Sequence, residues 1–263
     1  MAAESRFLTN DVIRSYAAVG DSFTEGVGDP GPGGHFVGWA DRLAVLLDDR
    51  VPEHTFRYAN LAVRGKLLDQ IVADQIPRAR GLAPDLVTFC AGGNDVIRPG
   101  TDPDDLAERF ERAVADLTSA AGTVLIATGF DTRDVPVLKH LRGKIATYNL
   151  HLRSIADRYN CPVLDLWSLK TIQDRRAWDP DRLHLSPEGH TRVALRAAQV
   201  LGLEVPADPD QPWPPEPPRG SLEVRRDTIH WAREYLVPWI GRRLRGESSG
   251  DNVEAKRPDL LPL

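Results

Sequence analysis

The sequence predicts an α/β fold built on a parallel sheet with helices on both faces. Two observations carry this. Five short apolar runs alternate with amphipathic segments from Tyr16 to Leu201, the pattern of repeated strand–helix–strand crossovers. The first run, Tyr16 to Val19, is apolar throughout, as a strand covered on both faces should be. With 263 residues, 41% of them hydrophobic, the chain can bury one sizeable core.

Taken in order, the run Tyr16–Val19 ends in Gly20-Asp21-Ser22, where glycine allows a sharp turn. A Gly/Pro loop, 27–34, leads to a helix over 35–50 whose apolar face carries Phe36, Trp39, Leu43 and Leu46/Leu47. The second strand is expected over 56–63 and the next helix over 67–80, with Pro77 marking its fraying end. A third strand, 84–91, runs into Gly92-Gly93-Asn94-Asp95. Thr101-Asp102-Pro103-Asp104-Asp105 opens a helix to about 121, with a cap, an early proline and acidic first-turn residues. A fourth strand (123–128), a polar loop, a helix (141–159) and a fifth strand (162–167) follow. Ser186-Pro187-Glu188 then starts a helix to Leu201, with serine as cap and proline in its first turn.

Beyond Leu203 the composition changes. Residues 204–220 hold seven prolines and read as an extended linker. Residues 221–246 read as an amphipathic helix with Leu222, Ile229, Ala232, Leu236, Trp239/Ile240 and Leu244 on one stripe, kinked by Pro238. Arg242, Arg243 and Arg245 suit the negative pole of its dipole. The stripe is expected to bury against the catalytic domain, because Glu223, Asp227 and Glu234 dilute the basic face that a lipid surface would attract. Residues 247–263, polar and proline-containing, read as a disordered tail.

The net charge of −5 leaves no basic footprint for nucleic acid. Cys90 and Cys161 each sit in an apolar run and show neither metal spacing nor a disulfide framework. Met1 to Tyr16 has no apolar segment of the signal-peptide kind, and the expected location is cytoplasmic.

In a parallel sheet, the loops after the strands emerge at one edge, where such folds bind ligands. Four carry chemistry: the Ser22 turn, Asn60–Gly65, Gly92–Asp95 and Asp181-Arg182-Leu183-His184. A serine hydroxyl needs a base to become a nucleophile; His184 can serve, and Asp181, three residues before it, can fix its tautomer. Asp165, at a strand end, competes for that role, but the short Asp181–His184 spacing favours Asp181. Oxyanion donors are available from the backbone N–H groups of Ser22 and Gly65 and the side-chain amide of Asn94. Trp178, just ahead of the acid and base, is a candidate pocket wall. Asp95 is expected to hold its own loop, Glu25 receives no chemical role, and His190 reads as a structural histidine.

Gly20-Asp21-Ser22, Gly65, Gly92-x-Asn94-Asp95 and Asp181-x-x-His184, in that order, resemble the blocks of the SGNH (GDSL-type) hydrolase family over roughly residues 15–202. The resemblance implies a three-layer α/β/α sandwich like flavodoxin, with a five-stranded parallel sheet. It implies Ser22 as nucleophile, His184 as base, Asp181 as orienting acid, and an oxyanion hole of Ser22, Gly65 and Asn94. No cofactor or metal is expected. The expected activity is esterase, on a small-molecule ester. A deacetylase acting on a sugar or secondary metabolite would use the same loops. A non-catalytic binding module would not need all three of Ser22, Asp181 and His184.

Overall fold

The computed structural model describes residues 12–52, 55–135, 138–217, 220–238, 241 and 248–263. Strands β1 (Ser15–Gly20), β2 (Arg57–Asn60), β3 (Leu86–Cys90), β4 (Thr123–Ala127) and β5 (Val163–Leu164) pair in parallel in the order β5-β4-β3-β1-β2. The helices between and around them are α1 (Ser22–Glu25), α2 (Trp39–Asp48), α3 (Leu68–Leu82), α4 (Gly93–Val96), α5 (Pro103–Thr118), α6 (Arg142–Arg158), α7 (Pro187–Val200) and α8 (Ser221–Trp231).

Side-chain alternation along the strands builds the two flanking layers. Ala17, Val19, Val87, Phe89, Val124 and Ile126 point into one core with α3, α5 and α6. Tyr16, Ala18, Leu86, Leu125 and Ala127 point into the other with α2 and α7. Phe89 stacks on Phe110 of α5 at 4.3 Å between ring centroids. Burying one such ring stabilises by about 1.5–3 kcal/mol. The chain order reverses between β1 and β3, and the loops after these two strands open the crevice that holds the site.

The expected helix starts are present. Asp102 accepts the Asp104 N–H with Pro103 next to it, and Ser186 accepts the Gly189 N–H with Pro187 next to it. Pro77 differs from expectation: α3 continues to Leu82. Pro77 deprives the Ala73 carbonyl of its donor, but both residues lie on the solvent side, where water can serve that carbonyl. Buried Ile76 and Ala79 hold the helix on either side of the break in hydrogen bonding.

The region after Leu203 departs most from the sequence reading. The residues expected to form a disordered tail contain a sixth strand, β6 (Arg257–Pro262), antiparallel to β2. Pro258 and Pro262 cannot donate ladder hydrogen bonds, which an edge strand tolerates because one side faces solvent. Lys256, just before β6, donates to the Glu25 carbonyl (2.6 Å), the Phe36 carbonyl (2.8 Å) and Asp41 Oδ2 (2.6 Å).

The proline-rich stretch lies on the catalytic domain instead of spanning a gap. Trp213 Nε1 donates to the Thr171 carbonyl at 2.8 Å, and the guanidinium groups of Arg176 and Arg192 lie over its ring. The helical segment leaves α geometry ahead of Pro238: Ala232–Leu236 forms a π-helical turn, closed by Val237 N–H on the Ala232 carbonyl. Of the apolar stripe, Leu222 and Ile229 are exposed, and the buried residue at the end of α8 is Trp231, which is not on the stripe. Trp239, Ile240, Leu244 and the three arginines 242, 243 and 245 lie outside the described residues, as do residues 1–11. Among the described residues no helix is long and apolar enough to cross a membrane.

Candidate active site

β1 delivers Ser22 to the crevice. Gly20 is fixed by Gln75 of α3, whose amide both accepts the Gly20 N–H and donates to its carbonyl, each at 2.9 Å. A Cβ at position 20 would collide with the Cys90 carbonyl oxygen and the Thr24 side chain, so only glycine fits here. Asp21 caps α1 by accepting the Phe23 N–H at 3.1 Å, and Ser22 is the first residue of that turn.

Ser22, Gly65, Asn94, Asp181 and His184 all line one cavity of about 450 Å³. Its lining also includes the apolar Val96, Ile97, Phe130, Leu138 and Ile145. Glu234, Tyr235 and Pro238, from beyond α8, also border it.

On the loop between Trp178 and Leu185, His184 Nδ1 lies 2.6 Å from Asp181 Oδ2. Asp181 Oδ1 accepts the backbone N–H groups of Leu183 (2.8 Å) and His184 (3.0 Å). Burial works against the charge on Asp181, but the hydrogen bonds from His184 and the loop backbone outweigh it and hold the carboxyl below its ordinary range. Asp165 is engaged elsewhere, paired with Arg153 and accepting from Thr128.

Gly65 has φ +73°, and Ser248, Ser249 and Gly250 of the C-terminal segment pack against its Cα, so a side chain there would meet both strain and collision. The Asn94 amide nitrogen lies 3.1 Å from Asp21 Oδ2 and 3.1 Å from the Lys66 carbonyl. Serving an oxyanion therefore requires one of these two bonds to be given up. Asp95 Oδ2 accepts the Leu68 N–H at 2.9 Å, tying the Asn94 turn to the start of α3. Burial pushes the Asp21 carboxyl up to about 6, partly offset by the Phe23 N–H and by His184.

Glu25, given no role from sequence, is buried and binds both the Arg64 backbone N–H (2.7 Å) and its guanidinium. It thereby fixes the loop that ends in Gly65. Gln75 was also missed; its signal is a polar residue on the buried stripe of α3, between Ile71 and Ala79. His190 is structural, as expected. Its Nδ1 accepts the Trp39 N–H (3.1 Å), its Nε2 faces the Val27 carbonyl (3.2 Å), and burial drops its pKa to about 3. No His, Cys, Asp or Glu cluster suited to a metal occurs among the described residues.

Trp178 is a correction, because it does not line the cavity. Its Nε1 donates to the Ile172 carbonyl at 2.7 Å and its ring packs on Phe130 at 4.4 Å, so it backs a wall residue. Cys90, read as a buried hydrophobe, is partly exposed and borders the cavity.

The profile of the GDSL-like Lipase/Acylhydrolase family matches residues 18–192. No curated protein sequence matches the chain. Among solved structures, LAE5, an alpha/beta hydrolase enzyme from the metagenome of Lake Arreo, Spain, is 23% identical, with 72% of this chain and 94% of that one covered and a TM-score of 0.60. Axe2, an acetylxylan esterase from Geobacillus stearothermophilus, is 22% identical, with 73% and 95% covered and a TM-score of 0.59. The profile spans well over half of the chain, from β1 into α7, and takes in Ser22, Gly65, Asn94, Asp181 and His184. On that evidence the chain belongs to the GDSL-like Lipase/Acylhydrolase family and is a serine esterase acting on ester bonds.

Proposed function

We propose that the ester is cleaved through an acyl-enzyme on Ser22, with His184 as base and Asp181 as the acid that orients it. The observation that carries this is the 2.6 Å contact between His184 Nδ1 and Asp181 Oδ2 on a loop lining the same cavity as Ser22. With Nδ1–H given to Asp181, Nε2 is the nitrogen left to take the proton from Ser22 Oγ. Oγ then attacks the ester carbonyl, and the backbone N–H groups of Ser22 and Gly65 with the Asn94 amide receive the oxyanion. His184 returns the proton to the leaving alcohol, and water repeats the sequence to release the acid. Three variants of the Axe2 esterase, described as catalytic mutants, replace a serine and an aspartate–histidine pair three positions apart, the spacing of Asp181 and His184 here.

The substrate is a small ester whose acyl or alcohol group meets the apolar wall at Val96, Ile97 and Ile145. A sugar acetate is the second reading, favoured by the fold shared with an acetylxylan esterase. Turnover across p-nitrophenyl esters of rising chain length, run beside acetylated xylan, separates the two. The apolar wall favours kcat/KM rising beyond the acetate, and activity confined to acetylated sugar overturns that preference. A fluorophosphonate should label Ser22 in the same protein; labelling at another residue overturns the nucleophile.

A further inference from the structure

Residues 221–238 lie beyond the stretch that the family profile matches, yet they reach the acid–base loop. On α8, Leu222, Val224 and Ile229 are exposed, while Trp231 at its end is 4% exposed. The buried indole N–H donates to the Asp181 carbonyl oxygen at 2.7 Å. The Arg182 guanidinium lies over the same ring, 5.1 Å from its centroid, and Nη2 reaches the Asp227 carbonyl at 3.5 Å. Arg182 itself has φ +57°, a left-handed conformation costly for a residue with a side chain. The peptide between Asp181 and Arg182 is therefore held from outside the loop. The Leu183 and His184 N–H groups that hold Asp181 Oδ1 follow directly from it in the chain.

We propose that Trp231 is a positioning residue for ester hydrolysis. By gripping the Asp181 carbonyl and the Arg182 side chain, it fixes the loop conformation in which Asp181 Oδ2 meets His184 Nδ1. The inference rests on the catalytic roles proposed for Asp181 and His184. Small displacements of such groups are costly: a shift of about 1 Å can lower a rate by about 10².

The test uses the full chain with p-nitrophenyl acetate as probe. Trp231→Phe removes the donor and keeps a ring under Arg182, and kcat should fall about fivefold. Trp231→Ala removes both, and kcat should fall on the order of 10–10². KM should stay within about twofold in each, because the indole touches the loop and not the ester. A general loss of fold would instead appear in the circular dichroism and melting temperature, and Trp231→Phe covers the case where Trp231→Ala does not fold. The deciding readout is the Asp181→Asn background. If Trp231 acts through Asp181, adding Trp231→Phe there should cost less than about twofold more. Unchanged kcat in both single variants, a loss confined to KM, or full additivity with Asp181→Asn overturns the proposal. Full activity in Asp181→Asn alone overturns instead the catalytic reading on which it rests.

Discussion

Ser22 and His184 reach the same cavity by different kinds of support. Ser22 follows β1, in which residues 16–19 are fully buried and which pairs with a strand on each side. Gln75 closes on Gly20 from α3, and Asp21 caps the turn. The proposed nucleophile is thus positioned by the core itself. His184 follows a long irregular stretch after β5, a strand of only two residues. Its loop is held by a few contacts: the side chains of Asp181 within it and Trp231 from α8, and the backbone bridge between Trp178 and Leu185 with the Asp179 N–H on the His184 carbonyl (2.9 Å). A strand end tolerates change at its flanks because many backbone bonds fix it. A loop outside the sheet depends on fewer contacts, and its side-chain ones can each be removed by one mutation.

The largest effect should come from the core-held side. Ser22→Ala should remove nearly all turnover, on the order of 10³-fold or more, while the melting temperature stays near that of the parent, because β1 and not the hydroxyl fixes the turn. Steady-state kinetics beside thermal unfolding checks both halves. Full activity in this variant would discard the nucleophile and the comparison with it.

Next is the donor side chain. Asn94→Ala should lower kcat by about 10²–10³ with little change in KM, as for one lost oxyanion donor. The Asn94 amide already bonds Asp21 and Lys66, so part of its role is to hold two loops together. A change confined to KM would assign it to substrate binding.

A smaller effect is expected from Glu25→Ala. The Glu25 carboxylate is the partner of the Arg64 backbone and guanidinium, and it sets the loop that presents Gly65. Losing it should lower kcat by about tenfold through a displaced Gly65 N–H. The stability loss should be about 1–3 kcal/mol, because Arg64 keeps some access to water. Unchanged kcat would show that the Gly65 loop is held by the C-terminal segment against it, and not by Glu25.

The same contrast explains what could be read from the sequence. The strand–helix alternation, the caps at Asp102 and Ser186, and the loops with Ser22, Asn94 and Asp181/His184 are local signals, and the structure has each element where its pattern fell. Their convergence at one edge follows from parallel strands alone. Glu25, Gln75 and Trp231 were not legible, because each acts through a partner 39–55 residues away. β6 was hidden because its prolines and charges read as tail, whereas an edge strand needs only part of its backbone to pair. Trp178 was misplaced because loop position says nothing about which way an indole turns; its N–H goes to the Ile172 carbonyl.

The smallest effect on turnover but the clearest dependence on pH should come from Asp21, at the junction of the two supports. Burial raises its carboxyl from an ordinary 3.8 to about 6 in the folded protein. At Asp21 the folded state therefore holds a proton more tightly than the unfolded chain, so this group's contribution to stability is greatest below about pH 4 and declines as pH rises through about 6. Above that window the folded protein carries a buried carboxylate at a cost of up to about 3 kcal/mol, from the size of the shift. Asp21→Asn keeps an oxygen to accept the Phe23 N–H and removes the charge, at the loss of the bond from the Asn94 amide, which does not depend on pH. It should melt higher than the parent at pH 8, with the difference shrinking as pH is lowered toward 4. Denaturant unfolding across that range reads the difference directly. If the gap is constant with pH, or the parent is the more stable at pH 8, then the carboxylate is compensated by Asn94 and His184 in the folded state. The Ser22 turn would in that case lean on the Asp181–His184 loop rather than on the core alone.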